Sequence, residues 1–138
     1  MKVAIGIISL IFTIRSAQAN DWYRPISIPL NQTVTEQLTS RDLPTGEGGF
    51  AKDFVVELKA GEQVAIDLTS DSFDTVVMLI ADDGSMINSN DDSTEGGTDS
   101  LLFVRIKESG RYIIRVKTFE IGGGGTFQLK VSRLSSTG

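Results

Sequence analysis

In residues 63–69 the apolar side chains Val64, Ile66 and Leu68 alternate with Ala65, Asp67 and Thr69. A period of two is the spacing of a strand with one face in a core and the other toward water. The same alternation returns in Tyr112, Ile114 and Val116, and again in Phe127, Leu129 and Val131. No stretch after residue 19 keeps the 3.6-residue period of an amphipathic helix. Phe54–Leu58, Thr75–Ala81 and Leu101–Lys107 are further strand candidates; the last two are apolar on both faces in places, as central strands are. Turn-forming residues separate these runs: Ala60-Gly61, Asp82-Asp83-Gly84-Ser85, Ser109-Gly110 and Gly122–Gly125, the last read as a mobile loop. About seven to nine short strands at this spacing predict an all-β fold, an antiparallel β-sandwich of jelly-roll type.

The N-terminus has a different layout. One charge at Lys2 is followed by an uncharged run from Val3 to Ile14 and by small residues ending in Ala17-Gln18-Ala19, the three-part pattern of a secretory signal peptide. The run is well short of the about 20 residues that span a bilayer, so cleavage between Ala19 and Asn20 is expected rather than membrane insertion. Cleavage removes Lys2 and Arg15 and no acid, leaving 11 bases against 18 acids, a net charge of −7. Such a surface repels phosphate backbones and anionic lipid heads, which argues against nucleic-acid and membrane-surface partners. The expected location is secreted or periplasmic.

The chain has no cysteine and no histidine. An exported domain of this size must then be held by its core or by bound ions, not by disulfides. Cys-His and Ser-His-Asp nucleophiles and zinc sites built from Cys and His are excluded as well. The expected organisation is a signal peptide at 1–19, an extended lead-in at 20–49 with one edge strand in Thr33–Leu38, a sandwich at 50–134 and a tail at 135–138. Asn31-Gln32-Thr33 fits the N-glycosylation acceptor pattern.

The ordered series Asp53-Phe54, Ala60-Gly61-Glu62, Phe73-Asp74-Thr75, Asp83-Gly84, Asn90-Asp91-Asp92, Ser109-Gly110-Arg111-Tyr112 and Gly125-Thr126-Phe127 resembles the bacterial pre-peptidase C-terminal domain, over about Leu38 to Val131. That resemblance implies a β-sandwich module of the kind appended to secreted peptidases, similar to the collagenase modules that bind collagen with help from calcium. Within this sequence no catalytic domain precedes the module, and Phe stands at 54 and 127 where the family often has Tyr.

Asp71, Asp74, Asp82, Asp83, Asn90, Asp91, Asp92, Glu95 and Asp99 crowd into one segment, an oxygen-rich setting that suits calcium. With Asp83-Gly84 at the centre of a two-residue hairpin turn, positions summing to 167 lie opposite, and Asp74 faces Ser93. Asp74 then sits near Asn90, Asp91 and Asp92, where converging carboxylates would repel one another without a cation. These four residues are the candidate calcium ligands. The bland alternative is that they cap turns and stay solvated. Phe73-Asp74-Thr75 matches the aspartic-protease triplet only in outline, because Val76 follows where a small residue is needed.

Trp22 and Tyr23, near the expected mature N-terminus, and Phe119, before the glycine run, are candidate ligand-binding residues. The overall expectation is a noncatalytic exported accessory module that recognises an extracellular polymer, protein or polysaccharide, or a secreted partner protein. The alternative is a structural or targeting domain with no polymer ligand. A carboxylate-based hydrolase is the remote third.

Overall fold

The computed structural model describes residues 23–91 and 97–134. The expected signal peptide, Trp22, Asp92 and the tail at 135–138 lie outside the described residues.

Ten strands form two sheets. They are β1 (Ile26–Ser27), β2 (Thr33–Leu38), β3 (Leu43–Pro44), β4 (Phe50–Leu58), β5 (Gln63–Thr69), β6 (Thr75–Ala81), β7 (Met86–Asn90), β8 (Ser100–Arg105), β9 (Gly110–Thr118) and β10 (Gly125–Leu134). The first sheet runs β1-β4-β9-β6-β7 with β3 beside β4, and the second runs β2-β10-β5-β8. Every strand pair is antiparallel except β1 with β4, and an isolated parallel bridge joins Leu30 to Val131. The all-β sandwich expected from the alternation is therefore the observed architecture.

Alternation explains the core. Phe54, Val56 and Leu58 of β4, Ile114 and Val116 of β9 and Val77 and Leu79 of β6 point inward from the first sheet. Val64, Ile66, Leu68, Leu129 and Val131 meet them from the second. Phe127 of β10 holds its ring edge-to-face against Phe54 at 6.1 Å and against Phe73 at 6.2 Å, linking both sheets and the loop before β6.

The strand bounds at Thr33–Leu38, Gln63–Thr69 and Thr75–Ala81 coincide with those read from sequence. Three details differ. First, Leu101–Lys107 was expected to be central, but β8 is the edge of the second sheet. Its outward apolar residue Phe103 is 63% exposed, so apolarity on that face reflects no covering layer. Second, the β6–β7 turn spans three residues. Gly84 N–H donates to Ala81 C=O and Ala81 N–H to Ser85 C=O, with Gly84 at φ 90°. The pairing near the turn is Ile80 with Met86; a bulge at Ile87 then restores the expected register at Leu79–Asn88 and Val77–Asn90.

Third, the second half of the glycine run is closely packed, while Gly122 faces open space. A Cβ on Gly124 would meet the Leu38 carbonyl oxygen at 2.7 Å and one on Gly125 would meet Ser72 at 2.5 Å, so these positions need glycine for close approach. Asn31, at φ 62°, accepts the Arg133 N–H through Oδ1 and so serves as a turn residue.

Candidate functional site

Pairing directions bring the starts of β4, β6, β8 and β10 and the ends of β2, β5, β7 and β9 to one end of the sandwich. Hydrogen bonds tie the loops there. Ser70 Oγ donates to Thr126 C=O at 2.7 Å, Thr98 Oγ1 to Ser70 C=O at 2.8 Å and Thr75 N–H to Thr98 C=O at 3.0 Å. Thr75 and Ser100 are buried between the sheets, and the Ser100 hydroxyl donates to Thr75 C=O. Most of the singled-out residues belong to this end.

Asp74 is half-buried just before β6, and its backbone carbonyl accepts the Phe119 N–H at 2.8 Å. Asn90 ends β7, and its Nδ2 donates to Leu101 C=O on the edge of the second sheet. Asp91 is exposed. Asn90, Asp91 and Phe119, together with Val76, Ser89 and Lys117, line a shallow concavity of about 390 Å3. Two parts of the sequence reading, the acidic segment and the aromatic before the glycine run, thus meet at one place. Among the described residues no three Asp or Glu side chains approach closely enough to hold a metal ion. Asp74, Asn90 and Asp91 alone fall short of the six to eight oxygens calcium takes.

Phe119 and Ile121 stand 63% and 81% exposed on the β9–β10 turn. The turn carrying them is pinned: Gly122 N–H donates to Gly48 C=O at 3.0 Å, and the Thr118 hydroxyl donates to Glu120 C=O. Lys117 pairs with Glu47 at 3.7 Å and Lys52 with Asp42 at 3.0 Å, whereas Asp71, Asp74, Asp91 and Glu120 make no ion pair among the described residues. The loop end therefore carries excess negative charge around two exposed apolar side chains.

Tyr23 lies elsewhere, over the outer face of the first sheet. Its hydroxyl donates to Asp53 Oδ2 at 2.5 Å, and Arg115 holds both carboxylate oxygens of Asp53 at 2.8 Å. Asp53 faces outward on β4 yet is only 4% exposed, because the N-terminal segment covers it. Burial pushes the Tyr23 phenol up to about 12, and the hydrogen bond to Asp53 and its charge add to the shift. Its hydrogen bonds to Asp53 hold the Arg115 guanidinium above its ordinary value. Sequence reasoning did not find this cluster; the one signal available was a pair of opposite charges on two alternating strands.

These features define a class: an all-β, two-sheet sandwich whose loops gather at one end. The chain is similar to the bacterial pre-peptidase C-terminal domain, whose family model matches residues 51–118. No curated protein matches the sequence. Among solved structures, the pre-peptidase C-terminal domain of collagenase from Bacillus anthracis is similar at TM-score 0.61 and 16% identity, over 78% of this chain and 94% of that one. A periplasmic inhibitor of g-type lysozyme from Aeromonas hydrophila is similar at TM-score 0.60 and 15% identity, over 80% and 96%. The corresponding inhibitor from Salmonella Typhimurium follows at TM-score 0.54 and 10% identity, over 81% and 99%. At these identities the likeness is one of fold.

Proposed function

We propose that this chain is a noncatalytic exported module that binds a partner protein or an extracellular polymer. The observation that carries the reading is that large apolar side chains stand in solvent at separate places on a tied framework: Phe103 on β8, Met86 and Ile87 on β7, and Phe119 and Ile121 on the β9–β10 turn. Single exposed apolar side chains are ordinary, but neighbours in sequence such as Met86 with Ile87 and Phe119 with Ile121 offer paired contact points. Support comes from the family resemblance, whose members include a collagenase module, and from the fold likeness to two lysozyme inhibitors. The signal-peptide pattern at residues 1–19 supports export.

Calcium binding at the loop end is part of the proposal. Asp74, Asn90 and Asp91, joined by Asp92 outside the described residues, would supply the oxygens, and the ion would stiffen the loops. The test is retention of the chain from Asn20 to Gly138 on insoluble collagen, cellulose, chitin and peptidoglycan and on an immobilised g-type lysozyme, each in calcium and in chelator. Saturable binding to one of these is expected; absence of binding to all of them overturns the binding reading and favours a structural or targeting domain.

A further inference from the structure

We infer that the β9–β10 turn is a preorganised docking epitope for a cationic protein, with Phe119 and Ile121 as its anchors. This inference rests on the binding reading above and names the surface and the partner chemistry.

The first argument is order combined with exposure. A loop that merely connects two strands has no need to hold apolar side chains in water, and a mobile one would bury them when it could. Here the Phe119 N–H is fixed to Asp74, Gly122 N–H is fixed to Gly48, and glycines at 124 and 125 allow the turn to press on Leu38 and Ser72. Gly48 is itself pressed by Ile121, since a Cβ there would lie 2.8 Å from the isoleucine side chain. The turn is therefore locked by contacts only glycine permits, with both large side chains still mostly in solvent. Fixing them before encounter lowers the ordering cost that a partner must overcome.

The second argument is charge. Glu120 lies between the two anchors in sequence, Asp91 shares the concavity beside Phe119, and Asp74 holds the Phe119 backbone. Lys117, which shares the concavity, is matched by Glu47 and Lys52 by Asp42; the exposed Arg41 is outnumbered by Asp71, Asp74, Asp91 and Glu120, which leaves the surplus negative. An apolar projection inside a negative field fits a basic protein with an apolar socket, and long-range attraction would steer the encounter. A second copy of this chain is the wrong occupant: from Asn20 to Gly138 its net charge is −7, and two such ends would repel.

The experiment measures the affinity of the chain from Asn20 to Gly138 for a g-type lysozyme of basic isoelectric point, across a range of salt. Phe119→Ser with Ile121→Ser is expected to weaken binding about 30-fold or more, the size of a hot-spot loss. Asp91→Asn with Glu120→Gln is expected to weaken it at low salt and flatten the salt dependence. Leu134→Ser, an exposed apolar position at the far end of β10, serves as the control and is expected to leave affinity unchanged. All the substituted residues are exposed, so the thermal midpoint of each variant should stay near that of the parent. Parent binding that survives Phe119→Ser with Ile121→Ser overturns the epitope while leaving the binding reading intact. Retention on a polysaccharide without binding to the basic protein overturns the partner assignment. No binding to any of the materials named above overturns both.

Discussion

Asp53 and Arg115 are direct partners across β4 and β9, and the guanidinium grips both carboxylate oxygens in parallel hydrogen bonds of 2.8 Å. The carboxylate side chain is 1% exposed, while that of Arg115 is 36% exposed. The pair sits on the outer face of its sheet, where cross-strand neighbours normally meet water; Tyr23 seals it from above.

Removing Arg115 would leave a buried carboxylate with only the phenol for company. Arg115→Met is expected to lower stability by about 3 kcal/mol, whereas Asp53→Leu in the same background should recover much of that loss, since no buried charge then remains. Urea midpoints of the two single variants and the double variant check the coupling; independent, additive losses would contradict it.

The Tyr23 phenol titrates at about 12 in the folded protein against an ordinary value of 10.0. The folded state favours the protonated form, so its contribution is fully present below pH 10 and is lost as pH rises from about 10 to 12. Phenolate absorbance of a Tyr112→Phe variant, which leaves Tyr23 as the sole tyrosine, should show ionisation displaced upward and coupled to unfolding. In Tyr23→Phe the alkaline decline in stability across that window should be smaller. The phenol is only partly covered, so water moderates the size of the effect.

Phe127 is 1% exposed and touches Phe54 and Phe73 edge-to-face. Phe127→Ala is expected to cost about 3–5 kcal/mol through lost burial and the cavity left behind. Phe127→Tyr would bring a hydroxyl into the core, which is tolerated only with a hydrogen-bond partner for it. Calorimetry or urea unfolding distinguishes the two variants.

If calcium binds only the folded chain, a concentration one hundred times its dissociation constant adds about 2.7 kcal/mol, a rise of several degrees in the melting temperature. Asp74→Asn and Asp91→Asn should each reduce the rise. Identical melting in calcium and in chelator would remove calcium from the proposal.

The hairpin shows where sequence reasoning works. Side-chain parity required Val77 and Asn90 to oppose each other, and they do. The turn itself has three residues instead of two, and the bulge at Ile87 absorbs the difference. Parity survives because burying Val77 and Leu79 costs far more to undo than adding one unpaired backbone position. The candidate site was legible to the extent that Asn90, Asp91 and Phe119 were each singled out, but their meeting depends on how β7 and β9 flank β6.

What the sequence determined by itself is the class of fold and the identity of the core, because period-two alternation decides which side chains leave water. Tertiary structure alone decided that Leu101–Arg105 lies at an edge, that Gly124 and Gly125 are packed against Leu38 and Ser72, and that Tyr23 closes over Asp53 and Arg115. Each depends on residues far apart along the chain, between 30 and 62 positions in the Asp53 cluster. Local periodicity carries no information about such encounters, which follow only from the order in which strands pair and the way the two sheets stack.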